Sequence, residues 1–159
     1  MALKGVPAFY LPALLASEND IKSFSMTGQR RDLNREKFKL DNLLSALNNP
    51  ESNANKNLRY LRNAMDVRSE LKQFHPCSEM KCLSKGRSDI VVIKRGTGLK
   101  SVFAIHNMTE NKINYQLNDN DLPKIIDNDF NAHDFLTSTK YNWKNISLDP
   151  FQVIWLGAL

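Results

Sequence analysis

The sequence predicts an α+β protein, helical before His75-Pro76 and antiparallel β after it. Two observations carry this. Leucines recur at helical spacing between Phe38 and Phe74, and beyond Pro76 the apolar period falls to two or to short unbroken runs. A third observation qualifies it: an apolar strand, Val6 to Tyr10, precedes the helices with no second strand near it in the first half.

That first strand follows Lys4-Gly5 and contains Pro7, which suits a strand start that donates no ladder hydrogen bond. A lone apolar strand has nowhere to pair its backbone, so it is expected to close a sheet whose other strands are not in this sequence. Leu40, Leu43, Leu44 and Leu47 then mark a helix, with Asp41 near its positive end, and Asn48-Asn49-Pro50-Glu51 break it. A second helix is expected from Asn55 to Phe74, with Leu58, Leu61, Met65, Arg68, Leu71 and Phe74 along one stripe and Pro76 as its stop. Strands are expected at Glu79–Ser84, Asp89–Arg95, Ser101–Asn107, Ile113–Leu117 and Phe151–Leu156. Lys85-Gly86-Arg87, Gly96-Thr97-Gly98 and Thr109-Glu110-Asn111-Lys112 supply the turns. The Asn- and Asp-rich stretch from Asn118 to Asn145 reads as a long loop with short strands. The division is therefore 1–76 and 77–159.

Composition narrows the function. A chain of 159 residues, 42 % hydrophobic and 25 % charged, is that of a globular protein. The net charge of +5 is scattered, and the one dense basic point, Arg30-Arg31-Arg35, lacks interleaved aromatics, so no nucleic-acid partner is expected. No apolar run approaches the roughly 20 residues of a membrane span, and Pro7 and Pro12 interrupt the stretch that imitates a leader. With two cysteines and no disulfide framework, a cytoplasmic location is expected.

Candidate chemistry centres on Thr27-Gly28-Gln29-Arg30-Arg31-Asp32-Leu33-Asn34-Arg35. Guanidiniums at this density suit sugar hydroxyls, carboxylates or phosphate; the plain alternative is a solvated loop paired with Asp32 and Glu36. Asp20, Glu18 and Asp32 are candidate acid–base carboxylates, against helix capping. His75, Cys77 and Cys82 lack a fourth zinc ligand, and His106 and His133 stand apart, so no metal and no cofactor is expected. Trp143, Trp155, Tyr141 and Phe151 read as core aromatics before they read as a sugar platform, since Phe151, Val153 and Trp155 alternate like a strand face.

These residues resemble a known family. Gly5-Val6-Pro7-Ala8-Phe9-Tyr10, Leu14-Leu15-Ala16-Ser17-Glu18-Asn19-Asp20, Thr27-Gly28 and Asp32-Leu33-Asn34-Arg35-Glu36-Lys37 are similar to the sucrose phosphorylase group of the α-amylase superfamily. Phe103-Ala104-Ile105-His106-Asn107 and Leu148-Asp149-Pro150-Phe151-Gln152-Val153-Ile154-Trp155-Leu156 resemble strands of its C-terminal antiparallel domain. The resemblance implies that 1–76 holds the last strand, arginine loop and helices of a (β/α)8 barrel, and 77–159 the β domain. It implies retaining α-glucosyl transfer between a glucoside, such as sucrose or glucosylglycerate, and phosphate. Arg35 matches the arginine that anchors the glucosyl ring, with Arg31 and Asn34 as substrate-binding supports and Leu33 in place of isoleucine. The catalytic carboxylates lie upstream of Gly5 in such enzymes, so no catalytic residue carries over. The expectation is a C-terminal fragment inactive alone, with an N-terminal barrel half as partner, an exposed apolar patch around Val6 to Leu11 and self-association. The alternatives are a non-catalytic β interaction or carbohydrate-binding module, or half of a split enzyme.

Overall fold

Helices precede an antiparallel sheet, as the change of period requires. A computed structural model describes residues 1–84, 86–118, 120–122 and 131–158. They form two compact units, Pro7–Met65 and a second made of Met1–Val6 with Asp66–Leu159. Among the described residues no helix is long and apolar enough to cross a membrane.

The Pro7–Met65 unit holds α1 (Leu11–Leu14), α2 (Ile21–Thr27), α3 (Leu40–Asn48) and most of α4 (Asn53–Glu70). Its buried apolar residues are Leu15 and Ala64. Polar stitches hold it instead. Asn57 Nδ2 donates to the carbonyls of Ala13 and Leu14 at 2.8 and 2.9 Å, and Asn55 Nδ2 donates to Leu47 O at 2.6 Å. Ser52 Oγ accepts from Asn55 N at 3.1 Å and donates to Ala46 O at 2.5 Å, joining the start of α4 to the end of α3.

Val6 to Tyr10 is not a strand. No described residue pairs with it, and an apolar segment without a ladder partner remains irregular. Val6 is 81 % exposed, and Tyr10 and Leu11 are exposed as well, which is the patch expected of them. The predicted helix to Phe74 also ends sooner, at Glu70, and a 3₁₀ turn at Lys72–Phe74 follows. That turn buries Phe74 against Trp155, ring centroids 4.5 Å apart.

The second unit is a β fold with its own core. β1 (Met80–Cys82), β2 (Ile90–Arg95), β3 (Val102–Asn107), β5 (Asn131–Asp134), β6 (Lys140–Asn142) and β8 (Val153–Gly157) form a sheet in the order β1-β2-β3-β8-β5-β6. β4 (Ile113–Tyr115) and β7 (Ile146–Leu148) form a separate two-stranded ladder. All pairs are antiparallel. Register Val92↔Ile105↔Ile154 sets Ile90, Val92, Phe103, Ile105, Ile154 and Leu156 on one face, where they pack with Leu117, Trp143, Ile146 and Leu148. Phe151 lies before β8 in a turn at φ +54°, 66 % exposed, so the alternation read through it begins only at Val153. The short strands expected within 118–145 are β5 and β6 where the chain is described; 119 and 123–130, like Lys85, lie outside the described residues.

The opposite face carries Arg95, in register with Val102, and it is fully buried. Its Nη1 donates to the carbonyls of Ala2 and Leu3, both at 2.9 Å, and its Nη2 to His75 O at 2.8 Å. Arg68 adds bonds to Met1 O and, at 2.8 Å, to Gly5 O. The two guanidiniums lie 5.5 and 5.4 Å from the centroid of the Phe74 ring. Burial, with Arg68 nearby, pushes the Arg95 guanidinium below its usual pKa. Replacing Arg95 by Met takes the donor from the buried Ala2 carbonyl and the partly buried Leu3 and His75 carbonyls, so unfolding of the β unit in urea should lose about 3 kcal/mol. Arg95→Lys should recover less than half of that, because one ammonium does not reproduce the fork. An unchanged midpoint for Arg95→Met would contradict this role.

Candidate functional site

The arginine loop is shaped by its backbone. Asp20 caps α2, accepting from Ser23 N at 2.9 Å and from Ser23 Oγ at 2.6 Å. Gly28 closes the helix in the left-handed region at φ +67°, and its N–H donates to Phe24 O at 2.8 Å. The chain then winds through a 3₁₀ turn, Arg30–Asn34, and leaves it at Arg35.

Three tethers fix that turn. Thr27 Oγ1 donates to Asp32 Oδ2 at 2.5 Å and accepts from Gln29 N at 3.2 Å. Asp20 N donates to Leu33 O at 2.8 Å, and the Tyr10 hydroxyl donates to Asn34 O at 2.8 Å. Leu33 and Asn34 are therefore held by their carbonyls. Arg30, Arg31, Asn34 and Arg35 all remain exposed. Arg31 Nε is 3.8 Å from Asp32 Oδ1, a loose pair on a guanidinium 64 % exposed. A rigid backbone that displays under-used guanidiniums can grip an anion or a polyol with little ordering cost.

Arg31, Asn34 and Arg35 thus fall within one turn. The carboxylates read as acid–base candidates do not join them in that capacity: Asp20 is a helix cap and Asp32 a tether for Thr27. Hydrogen bonds from the Ser23 side chain and backbone hold the Asp20 carboxyl below its ordinary value. Among the described residues no hydrogen bond joins Glu18 to this turn.

In the β unit, Cys77 and Cys82 are exposed, His75 Nδ1 accepts from Cys77 N at 3.2 Å, and Cys82 Sγ lies 3.5 Å from Ser84 Oγ. Burial, and then the chain's amino terminus, lower the pKa of His106, whose Nε2 is buried without a partner among the described residues. Trp143 and Trp155 are buried, which fits the core reading and leaves no sugar platform built from them. A shallow groove of about 440 Å³ is lined by Lys4, Glu79, Lys81, Lys94 and Gly96–Gly98, but Lys81 and Lys94 are already tied to Asp121. Arg95, a fully buried charge, was missed in the sequence; its phase, shared with Val91 and Ile93 on β2, was the available signal.

No family model matches the chain. It is 28 % identical over 98 % of its length to glucosylglycerate phosphorylase of Allomeiothermus silvanus, spanning 25 % of that protein. It is 20 % identical over 98 % of its length to glucosylglycerate phosphorylase of Escherichia coli, spanning 26 % of it. The chain is a distant homologue of glucosylglycerate phosphorylase. It spans about a quarter of the length of the curated relatives it matches. The Bacillus licheniformis trehalose-6-phosphate hydrolase structure is similar in fold, with TM-score 0.51 and 18 % identity, over 71 % of this chain and 19 % of that one. The likeness is thus to part of an α-amylase-family fold.

The capping role of Asp20 has a pH signature. A lowered folded pKa adds stability above the unfolded value, and that contribution is lost as pH falls through the folded one. The Ser23 amide should titrate with a midpoint below that of an unstructured aspartate peptide, and Asp20→Asn should abolish the transition. A midpoint at or above the peptide value would contradict the cap.

Proposed function

We propose that this chain is the C-terminal part of a retaining α-glucosyl-transferring phosphorylase, contributing substrate-binding residues and inactive alone. Its glucoside is of the glucosylglycerate or sucrose type and its acceptor is phosphate. In this reading, Arg35 anchors the glucosyl ring from the end of the 3₁₀ turn, and Arg31 and Asn34 support it. The single observation that carries the reading is the tethered turn itself: the motif residues sit exposed on a backbone fixed at Asp32, Leu33 and Asn34.

The inactivity follows from chemistry. Retaining glucosyl transfer needs two carboxyl groups roughly 5 Å apart, one as nucleophile and one as acid and base. Asp20 and Asp32 are committed to Ser23 and Thr27, so neither is poised for that work. An arginine anchor supplies binding energy without a reacting group, and binding alone does not accelerate the bond change. Residues 1–76 are read as the closing part of the barrel and 77–159 as the β domain that follows it. A carbohydrate-binding β module gains no support, because its tryptophans are internal.

The test is a fusion in which this chain replaces the matched quarter of the Allomeiothermus silvanus enzyme. The isolated chain should release no glucose 1-phosphate from glucosylglycerate or sucrose. The fusion should do so, and Arg35→Ala in it should lower kcat/KM about ten- to a hundredfold, the worth of one charge-assisted hydrogen bond. Turnover by the isolated chain, or an Arg35→Ala fusion as active as its parent, would overturn the reading.

A further inference from the structure

Of the contacts that hold the Arg30–Asn34 turn, the one from Tyr10 reaches the peptide unit that leads into Arg35. The Tyr10 hydroxyl donates to Asn34 O at 2.8 Å, from 24 residues away in the chain. That carbonyl shares a planar peptide with the Arg35 N–H, which donates to Asp32 O at 3.3 Å. The plane entering Arg35 is thus held at both ends, by the turn itself and by Tyr10. Arg35 stands at φ −124° and ψ 47°, outside helix and strand, so no regular ladder carries it.

The hydroxyl works from a firm base. Tyr10 O accepts from Leu14 N at 3.1 Å as α1 begins, and Asn57 of α4 holds the carbonyls of Ala13 and Leu14 at the end of α1. The Tyr10 ring is 54 % exposed, so its burial contributes little and the hydroxyl contact is what distinguishes it. An arginine reaches its ligand through several rotatable bonds, and ordering them costs affinity. A backbone already fixed at its Cα removes part of that cost. We propose that Tyr10 is a positioning residue for Arg35, setting through the Asn34 carbonyl the point from which the guanidinium reaches the glucosyl group. This rests on the functional reading above, in which Arg35 is the anchor, and adds to it the residue that aims it.

Tyr10→Phe keeps the ring and removes the donor. In the fusion it should lower kcat/KM about three- to tenfold, the range of one neutral hydrogen bond. A group that acts through Arg35 loses its effect once Arg35 is gone, so Tyr10→Phe added to Arg35→Ala should change kcat/KM by less than about twofold. A second readout needs no activity. In the isolated chain, Tyr10→Phe should speed hydrogen exchange of the Arg35 amide about three- to tenfold. The Gly28 amide, bonded to Phe24 O, should exchange as before. Two substitutions whose effects multiply in the fusion, or Arg35 exchange equal to that of the parent, overturn the proposal. A fusion inactive in every form, with Arg35 exchange accelerated, keeps the hold of Tyr10 on Arg35 and overturns the phosphorylase reading. An active fusion that responds to Arg35→Ala and is indifferent to Tyr10→Phe does the reverse.

Discussion

Arg95 holds a positive charge beneath the sheet, donating from both Nη atoms to three main-chain carbonyls, while among the described residues no carboxylate pairs with it and its Nε has no partner. An unpaired charge in that position costs several kcal/mol unless its donors are met. Much of the architecture answers that constraint. The first residues must lie where Ala2 and Leu3 offer their carbonyls, and the chain after α4 must bring His75 to the same place. Arg68 secures the same strap at Met1 and Gly5, and Phe74 fills the space between the two guanidiniums while resting on Trp155. This is why Met1–Val6, remote in sequence, belongs to the same unit as Asp66–Leu159.

The two units are stabilised by different means. The β unit buries a continuous set of Ile, Val, Leu, Phe and Trp side chains between its sheet and the β4–β7 ladder. Its other fully buried charge, Asp134, is met by Trp155 N, Leu136 N and the Thr137 hydroxyl. The Pro7–Met65 unit relies on asparagine and serine bonds to carbonyls, which define geometry well and contribute modestly to stability. Such a unit can present the Arg30–Arg35 turn accurately and still leave Leu40 and Leu44 exposed. Precision at the turn and poverty of core are compatible, because the turn is fixed by local hydrogen bonds.

The β half was legible because alternation is a strong local signal: Ile90–Arg95, Val102–Asn107 and Ile113–Tyr115 all fall inside the strands expected there. α3 and the body of α4 were legible for the same reason at period 3.6. Val6 to Tyr10 was misread because β propensity describes a residue's fitness for a sheet and says nothing about the availability of a neighbour. Phe151 was misread because a turn with positive φ can carry an aromatic residue in what looks like strand phase. The candidate site was legible in its residue types and spacing, from Thr27 to Arg35. Its tethers were not, since Tyr10–Asn34 and Asp20–Leu33 link separate segments and both end on main-chain carbonyls, which leave no trace in side-chain identity.

The central claim is that one unit carries a core and the other has almost none. Native-state hydrogen exchange of the isolated chain tests it most directly. Amides of β2, β3 and β8 should exchange only through global unfolding, while those of α2 and α3 should exchange through local opening with at least a hundredfold less protection. Equal protection throughout, lost in one cooperative transition, would contradict that claim.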